Sequence, residues 1–151
     1  MFFQGFRADY GRYVFTFAHS RLNVSTDSEL RFIQKNELCR LATADENNQA
    51  HVVPVAYLFK DTKFYIATDY GTKKLANIQK NKRVALVVDV YKPNKAVMVL
   101  GEAFILEKGP EYQEVYQLFY KNFAWVRASP WKEGEAPFIV IRPDKKVSWG
   151  L

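Results

Sequence analysis

The alternation of apolar runs and short polar turns predicts a protein made mainly of antiparallel strands. Three apolar runs, Leu38–Ala44 and residues 50–59 and 63–68, are separated only by DENNQ and KDT, so we expect consecutive hairpins. Pro54 removes a backbone donor, which predicts that its strand is interrupted or lies at an edge. Three later runs complete the strand set: residues 83–91, expected to be buried on both faces, residues 96–107 with a bend at Gly101, and residues 138–151 with a break at Pro143.

Helical spacing is confined to a few segments. Thr26 and Glu29 form a Thr-x-x-Glu capping box before an apolar run, which predicts a helix that ends near Asn36. Leu75 and Ile78 indicate a short helix over residues 71–81, and Pro110 is suited to the first turn of a longer one. A Trp-, Pro- and Gly-containing loop is predicted over residues 124–136.

These elements favour a single β-barrel or β-sandwich with peripheral helices. A chain of 151 residues has room for one domain of ordinary size. Residues 1–24 show no clear period, so we assign them to an N-terminal arm and residues 25–151 to the domain.

Charge and aromatic content suggest an anionic or planar ligand. The formal charge is +6 and 16% of the residues are aromatic, a composition that suits either stacking of a planar ligand or nucleic-acid binding. No acidic residue occurs between Tyr70 and Val88, whereas that segment holds five Lys or Arg residues. We therefore expect most of the positive surplus to reside there.

Several classes of protein are disfavoured. No apolar run approaches the roughly 18 residues of a membrane span, and charged residues interrupt the aromatic N terminus, so we expect a soluble cytoplasmic protein without a membrane partner. Cys39 with His19 and His51 does not form a metal-binding pattern, and we predict no metal site. Cys39 is expected in the core, and no residue is assigned a catalytic role.

The most specific candidate chemistry lies at the start of the second predicted helix. Thr72, Lys73 and Lys74 follow a strand and a turn, where free helix amides, a hydroxyl and two ammonium groups suit a phosphate. The same residues are equally compatible with a solvated lysine-rich turn.

The order of these pieces over residues 27–151 resembles the pyridoxamine 5′-phosphate oxidase-like family of flavin-binding split β-barrels. Gly71-Thr72-Lys73-Lys74 matches the segment that holds the phosphate of flavin mononucleotide (FMN) in the family, and Asn81-Lys82-Arg83-Val84 matches the motif before the next strand. The resemblance implies a six-stranded antiparallel split β-barrel that binds FMN at a homodimer interface. The cofactor-binding residues that it implies are His51, Val52, Val53 and Pro54 along the ring, Thr68 at the strand end, Thr72, Lys73 and Lys74 at the phosphate, and Trp149 near the ring from the neighbouring subunit.

Differences from the family pattern change the activity that we expect. Lys95-Ala96 stands where pyridoxamine phosphate oxidases have an Arg-Gln pair, and the chain ends at Trp149-Gly150-Leu151, so vitamin B6 oxidation is not expected. VVDVY with a terminal VSWGL is similar to a subgroup that uses the deazaflavin F420.

Three functional hypotheses follow. The first is an FMN- or F420-dependent oxidoreductase acting on a small-molecule redox substrate. The second is a flavin-binding or sensing module without turnover. The third, ranked last because no nucleic-acid recognition motif occurs, is nucleic-acid binding. Trp125, Trp131 and Trp149 are candidates for a dimer contact or for ring stacking.

Overall fold

The computed structural model describes residues 7–10, 13–16 and 25–151, which form nine strands and four helices. The strands are β1 (Arg7–Tyr10), β2 (Tyr13–Thr16), β3 (Leu38–Ala44), β4 (Ala50–Ala56), β5 (Leu58–Lys60), β6 (Lys63–Ala67), β7 (Arg83–Val90), β8 (Lys95–Leu106) and β9 (Phe138–Trp149). The helices are α1 (Asp27–Lys35), α2 (Lys73–Lys80), α3 (Pro110–Asn122) and α4 (Ala124–Ala128).

The main sheet is an antiparallel split barrel. Its seven strands follow the order β4-β3-β7-β8-β9-β6-β5, and β1 and β2 form a separate two-stranded sheet. The sheet curls so that β4 at one edge comes close to β6, but the two strands share no backbone ladder. The predicted mainly β split barrel is therefore confirmed, with seven strands in the sheet rather than six.

The additional strand arises because the predicted run over residues 50–59 is divided at Tyr57. The Tyr57 amide leaves the ladder and donates to the Glu37 carbonyl at 2.9 Å, and its buried hydroxyl donates to the Ile33 carbonyl. Tyr57 thus occupies the space beside the end of α1. Pro54 lies on β4, an edge strand, as its missing donor predicts.

The break predicted at Pro143 does not occur, because β8 carries a matching irregularity. Gly101 lies opposite Pro143, and a register shift between Leu100 and Gly101 leaves Asp144 without an opposite residue. A Cβ at Gly101 would meet the Arg142 carbonyl oxygen at 2.3 Å, so only glycine fits the close approach. β9 therefore continues through Pro143 as one strand.

Two apolar clusters hold the barrel together. The inner cluster fills the barrel beneath α1 and α2 and includes Cys39, which is fully buried as predicted; burial raises the pKa of its thiol to about 12. The outer cluster packs α3 and α4 against β6 and β9. β7 does not have two equally buried faces: Val84, Leu86 and Val88 are buried, whereas the residues between them are half-buried.

Part of the predicted loop over residues 124–136 is helical, since α4 begins it. The ring of Trp125 stacks on that of Trp131 with centroids 6.0 Å apart, and the Trp131 indole donates to the Tyr112 hydroxyl at 3.0 Å. These contacts make Trp125 and Trp131 part of the packing around α3.

A buried ion pair attaches α1 to β9. The capping box is formed as predicted, with reciprocal hydrogen bonds between Thr26 and Glu29. The Glu29 carboxylate also accepts from the Lys146 ammonium and from the Ser148 hydroxyl, the latter at 2.7 Å. Burial alone would raise the pKa of Glu29, but these hydrogen bonds outweigh it and hold the pKa below its ordinary value.

The assignment of residues 1–24 to an arm falls largely outside the described residues, of which only β1 and β2 belong to that segment. The boundary at residue 25 stays a prediction. Among the described helices, none combines the length and apolar character needed to cross a membrane.

We expect Glu29→Gln to lower the free energy of unfolding by about 3 kcal/mol, because the neutral amide cannot balance the buried Lys146 ammonium. Urea denaturation at neutral pH measures this change. Glu37→Gln, at an exposed position just after α1, is the matched control and should stay within about 0.5 kcal/mol of the native protein. An equally small effect of Glu29→Gln would contradict the role given to the ion pair.

Candidate functional site

The candidate site is built where the chain passes from β6 into α2. Thr68 follows β6, is 7% exposed, and is held by its amide, which donates to the Pro137 carbonyl at 3.2 Å. Its hydroxyl lies 3.1 Å from that of Thr72, the residue before the first turn of α2. Two threonine hydroxyls predicted from sequence to belong to one site are therefore adjacent.

The first turn of α2 has backbone amide donors that are available to a ligand. The Thr72 hydroxyl donates to the Asp69 carbonyl at 3.1 Å and forms no side-chain cap on the helix. The amides of the first turn have no intrahelical partners, and no side chain in the described segments caps them. This end of the helix therefore presents amide groups and the positive end of the dipole.

Lys74 is a cation in a partly buried position at this site. Its side chain is half-buried, and none of the carboxylates in residues 25–151 lies within ion-pair distance of its ammonium. Burial lowers the pKa of Lys74, although the more distant charge of Asp69 partly opposes that shift. A partly desolvated cation without a counterion favours binding of an anion.

Lys73 has a different environment. Its ammonium lies 3.4 Å from the Asp45 carboxylate on the turn between β3 and β4, and Lys80 at the other end of α2 pairs with Glu46 on the same turn at 3.0 Å. The amides of Gln49 and Asn47 donate to Asp45, which together with Lys73 lowers the pKa of that carboxyl. The two ion pairs tie both ends of α2 to one turn.

A buried polar contact that the sequence analysis missed positions α2 on the sheet. Asn77 is 2% exposed, and its side-chain amide donates to the Thr43 hydroxyl of β3 at 3.0 Å. The sequence carries no clear signal for this contact, because Asn77 is two residues from Leu75 and one from Ile78 and falls outside the stripe that those two residues predict.

The four predicted ring-lining residues of β4 share a strand edge but not a face. His51 and Val53 lie opposite Thr43 and Leu41 and point into the barrel, whereas Val52 and Pro54 point outward, with Val52 60% exposed. His51 Nδ1 is buried and makes no hydrogen bond to the described residues. Of the four residues, only His51 and Val53 direct their side chains to the inner side of the barrel. The other two could contact a ligand there only through the backbone of β4.

Trp149 is not brought to this site within one chain. Phe138, at the start of β9, lies opposite Ala67, next to Thr68. Trp149 ends the same 12-residue strand, roughly 35 to 40 Å away along it, and its indole donates to Asn94 at 3.0 Å. The predicted contribution of Trp149 therefore requires another copy of the chain.

The fold and the donor-rich start of α2 define an antiparallel split barrel with a candidate phosphate site. A family model described as pyridoxamine 5′-phosphate oxidase matches residues 25–149, and the chain belongs to that family. No curated protein matches its sequence.

Solved structures share this architecture at low sequence identity. HutZ, the heme storage protein from Vibrio cholerae, is 14% identical with a TM-score of 0.71 over 83% of this chain and 96% of its own. A FAD-binding protein from Mesorhizobium loti is 23% identical with a TM-score of 0.67 over 83% and 94%. HupZ from Group A Streptococcus is 17% identical with a TM-score of 0.67 over 83% and 94%.

The environment of Lys74 generates a pH-dependent prediction. Because burial lowers the pKa of its ammonium, the Lys74 signal should titrate below its ordinary range, whereas that of Lys60, whose hydrogen bonds to Asp61 and Glu114 raise its pKa, should titrate above it. Added inorganic phosphate should raise the Lys74 value, since an anion stabilises the charged form. Phosphate affinity should correspondingly fall as pH rises through the Lys74 pKa of the free protein.

Carbon-13 NMR of reductively methylated lysines measures these titrations, and Lys74→Arg assigns the signal. A Lys74 pKa at or above the ordinary lysine value, or one that phosphate leaves unchanged, would contradict the anion site.

Proposed function

We propose that the protein is an FMN-binding oxidoreductase in which the start of α2 holds the cofactor phosphate. The observation that carries the proposal is the half-buried Lys74 ammonium without a carboxylate partner among the described residues, beside the uncapped first turn of α2. Charge-assisted hydrogen bonds are roughly twice as strong as neutral ones, so an ammonium at this place favours a phosphate monoester.

The donor set fits a phosphate group. Lys74, the hydroxyls of Thr68 and Thr72 and the first amides of α2 would hold it, and Lys73 would contribute while still paired with Asp45. Because Asp45 already neutralises part of the Lys73 charge, Lys74 should contribute more to affinity than Lys73.

The flavin ring would lie along the open edge of β4. An edge strand presents alternating amide and carbonyl groups, which complement the polar edge of a flavin, and the buried His51 Nδ1 is a further unused polar atom. When bound, the flavin supplies the hydride-transfer chemistry, and the chain provides binding, orientation and exclusion of water. The proposal assigns no general acid or base.

A homodimer would complete this site, and the outer face of the sheet supports one. Val52, Ala42, Ala85 and Leu100 lie directly opposite one another across four strands, and form an uncharged row on the outside of the barrel. Val52 is 60% and Leu100 37% exposed, so a partner that covered this row would remove apolar surface from water. An isologous dimer through this row could bring Trp149 of one subunit toward the site of its partner.

The alternatives retain the same site. F420 in place of FMN, or flavin binding without turnover, would also use the start of α2. Nucleic-acid binding is less favoured, because Lys73, Lys80 and Arg83 of the basic segment are all paired with carboxylates.

The purified protein's visible absorption spectrum, with mass analysis of any released molecule, distinguishes FMN, F420, haem and an empty protein. We expect FMN. Lys73→Ala with Lys74→Ala should weaken FMN binding about 100-fold, because two charge-assisted hydrogen bonds are lost. Lys74→Ala alone should account for most of the change.

Lys80→Ala is the matched control. Lys80 lies on the same helix and pairs with the same turn as Lys73, but at the opposite end of α2, and its removal should alter FMN affinity less than about twofold. A double variant that binds FMN as tightly as the native protein would refute the phosphate assignment.

The dimer generates a separate prediction. Val52→Asp should convert a dimer into monomers, because it places a charge in the apolar row, and should weaken flavin binding at the same time. Sedimentation velocity measures the mass. Tyr120→Asp, at a 41% exposed position on α3, is the control and should leave the dimer intact. A native protein that is monomeric at micromolar concentration would rule out this arrangement.

A further inference from the structure

Asp45 places a negative charge beside the candidate phosphate site. It lies on the turn between β3 and β4, and its Oδ2 is 3.4 Å from the ammonium of Lys73, the first residue of α2. A carboxylate from a distant part of the chain therefore cancels part of the positive charge that Lys73 and Lys74 bring to the start of this helix.

The Asp45 carboxylate is held in place by its own turn. Its Oδ1 accepts hydrogen bonds from the backbone amides of Asn47 and Gln49, at 2.9 and 3.0 Å. The Asp45 amide donates to the Gln49 carbonyl at 3.1 Å, and Asn48 closes the turn in the left-handed region, at φ 61°. Because the side chain is bonded to the backbone of the turn, we expect its charge to stay in place when a ligand binds nearby.

This carboxylate is charged and partly shielded from water. The amides of Gln49 and Asn47, together with the Lys73 ammonium, hold the pKa of Asp45 below its ordinary value, so it is ionised at neutral pH. Its side chain is 19% exposed, compared with 54% for that of Lys73. Water therefore screens Asp45 less than Lys73, and Lys73 is the partner with more freedom to move.

Helix α2 directs Lys73 toward Asp45. Lys73 and Lys80 are seven residues apart, which places them on one face of the helix, and both pair with the β3–β4 turn. The hydrogen bond between Asn77 and Thr43 fixes α2 against β3. A phosphate at the start of α2 must therefore either share the Lys73 ammonium with Asp45 or draw it away from that carboxylate.

Both arrangements weaken phosphate binding. If the ammonium is shared, hydrogen bonds of about 3 Å on each side place the phosphate oxygens within roughly 6 Å of the Asp45 carboxylate. At that distance a like charge disfavours an anion, and a phosphate monoester carries about −1.5 to −2 at pH 7. If the ammonium moves to the phosphate instead, the ion pair with Asp45 is lost.

We infer that Asp45 limits how strongly the start of α2 binds the cofactor phosphate, so that FMN exchanges faster than the two lysines alone would allow. The inference rests on the proposed FMN site, and it adds a residue that sets the affinity of that site. Because Asp45 acts on the phosphate, its charge should affect FMN but not riboflavin, which has the same ring and ribityl chain.

The test compares the binding of FMN and riboflavin to the native protein and to Asp45→Asn. The asparagine keeps an oxygen that can accept from the amides of Asn47 and Gln49, but it carries no charge. We expect Asp45→Asn to bind FMN about tenfold more tightly, and riboflavin within about twofold of the native protein. Flavin fluorescence measures the affinities, and stopped-flow fluorescence should show slower release of FMN from the variant.

Glu46→Gln is the matched control. Glu46 is the next residue on the same turn, but it pairs with Lys80 at the far end of α2, at 3.0 Å. Removal of its charge should therefore change FMN affinity less than about twofold. Asp45→Ser, whose hydroxyl can also bond to the turn, is a second neutral variant, and thermal unfolding checks that both Asp45 variants are folded.

The results separate a failure of this inference from a failure of the phosphate site. If FMN binds more tightly than riboflavin and Lys74→Ala weakens it, but neither neutral Asp45 variant binds FMN more tightly, the site stands and the role of Asp45 is wrong. If FMN and riboflavin bind equally and Lys74→Ala has no effect, the phosphate site is wrong and the role of Asp45 is lost with it. An equal gain for riboflavin would also overturn the inference, because the turn would then act on the ring or on the fold.

Discussion

The open edge of β4 is the constraint on which the rest of the structure depends. The sheet curls far enough to bring β4 near β6, but the two strands do not pair, so a strand edge lies beside the α2 segment instead of closing the barrel. Two ion pairs and the Asn77–Thr43 hydrogen bond fix α2 against β3 and the adjoining turn. At the other end of the barrel, the Glu29–Lys146 contact holds α1 in place. The candidate cofactor site is therefore a consequence of incomplete closure, with each neighbouring helix attached by buried or paired polar groups.

The distribution of charge changes when the fold is known. By sequence, the surplus of positive charge belongs to the segment between Tyr70 and Val88. In the structure, Asp45, Glu46 and Asp144 come from other parts of the chain and pair with Lys73, Lys80 and Arg83, so much of that segment is neutralised. The cations without carboxylate partners in the described segments include Lys74, Lys92 and Lys95. The sequence alone does not show which cations are paired, because the ion pairs join residues that are far apart in the chain.

Short sequence patterns predicted the elements that depend on interactions between residues close together in the chain. The capping box at Thr26 begins α1, β3 has the predicted bounds, and Gly101 marks a bulge. The errors came from features that involve two distant segments. Pro143 was expected to end a strand, but it lies opposite Gly101, whose register shift accommodates it. Tyr57 lies within an apolar run, and its departure from the ladder depends on the carbonyls of Glu37 and Ile33. In the site, Thr68 and Thr72 were predicted together from the family resemblance, whereas Asn77, His51 Nδ1 and the outward direction of Val52 required the packed structure.

We propose that the protein holds a flavin mainly by its phosphate at the start of α2. The most direct measurement compares the affinities of FMN and riboflavin, which share the ring and ribityl chain and differ in the phosphate alone. If Lys74, Lys73 and the first amides of α2 bind that group, FMN should bind about 100-fold or more tightly than riboflavin, since two charge-assisted hydrogen bonds contribute roughly 3 kcal/mol or more. Equal affinities for the two flavins would contradict the account, because the donors at α2 would then make no contribution to binding.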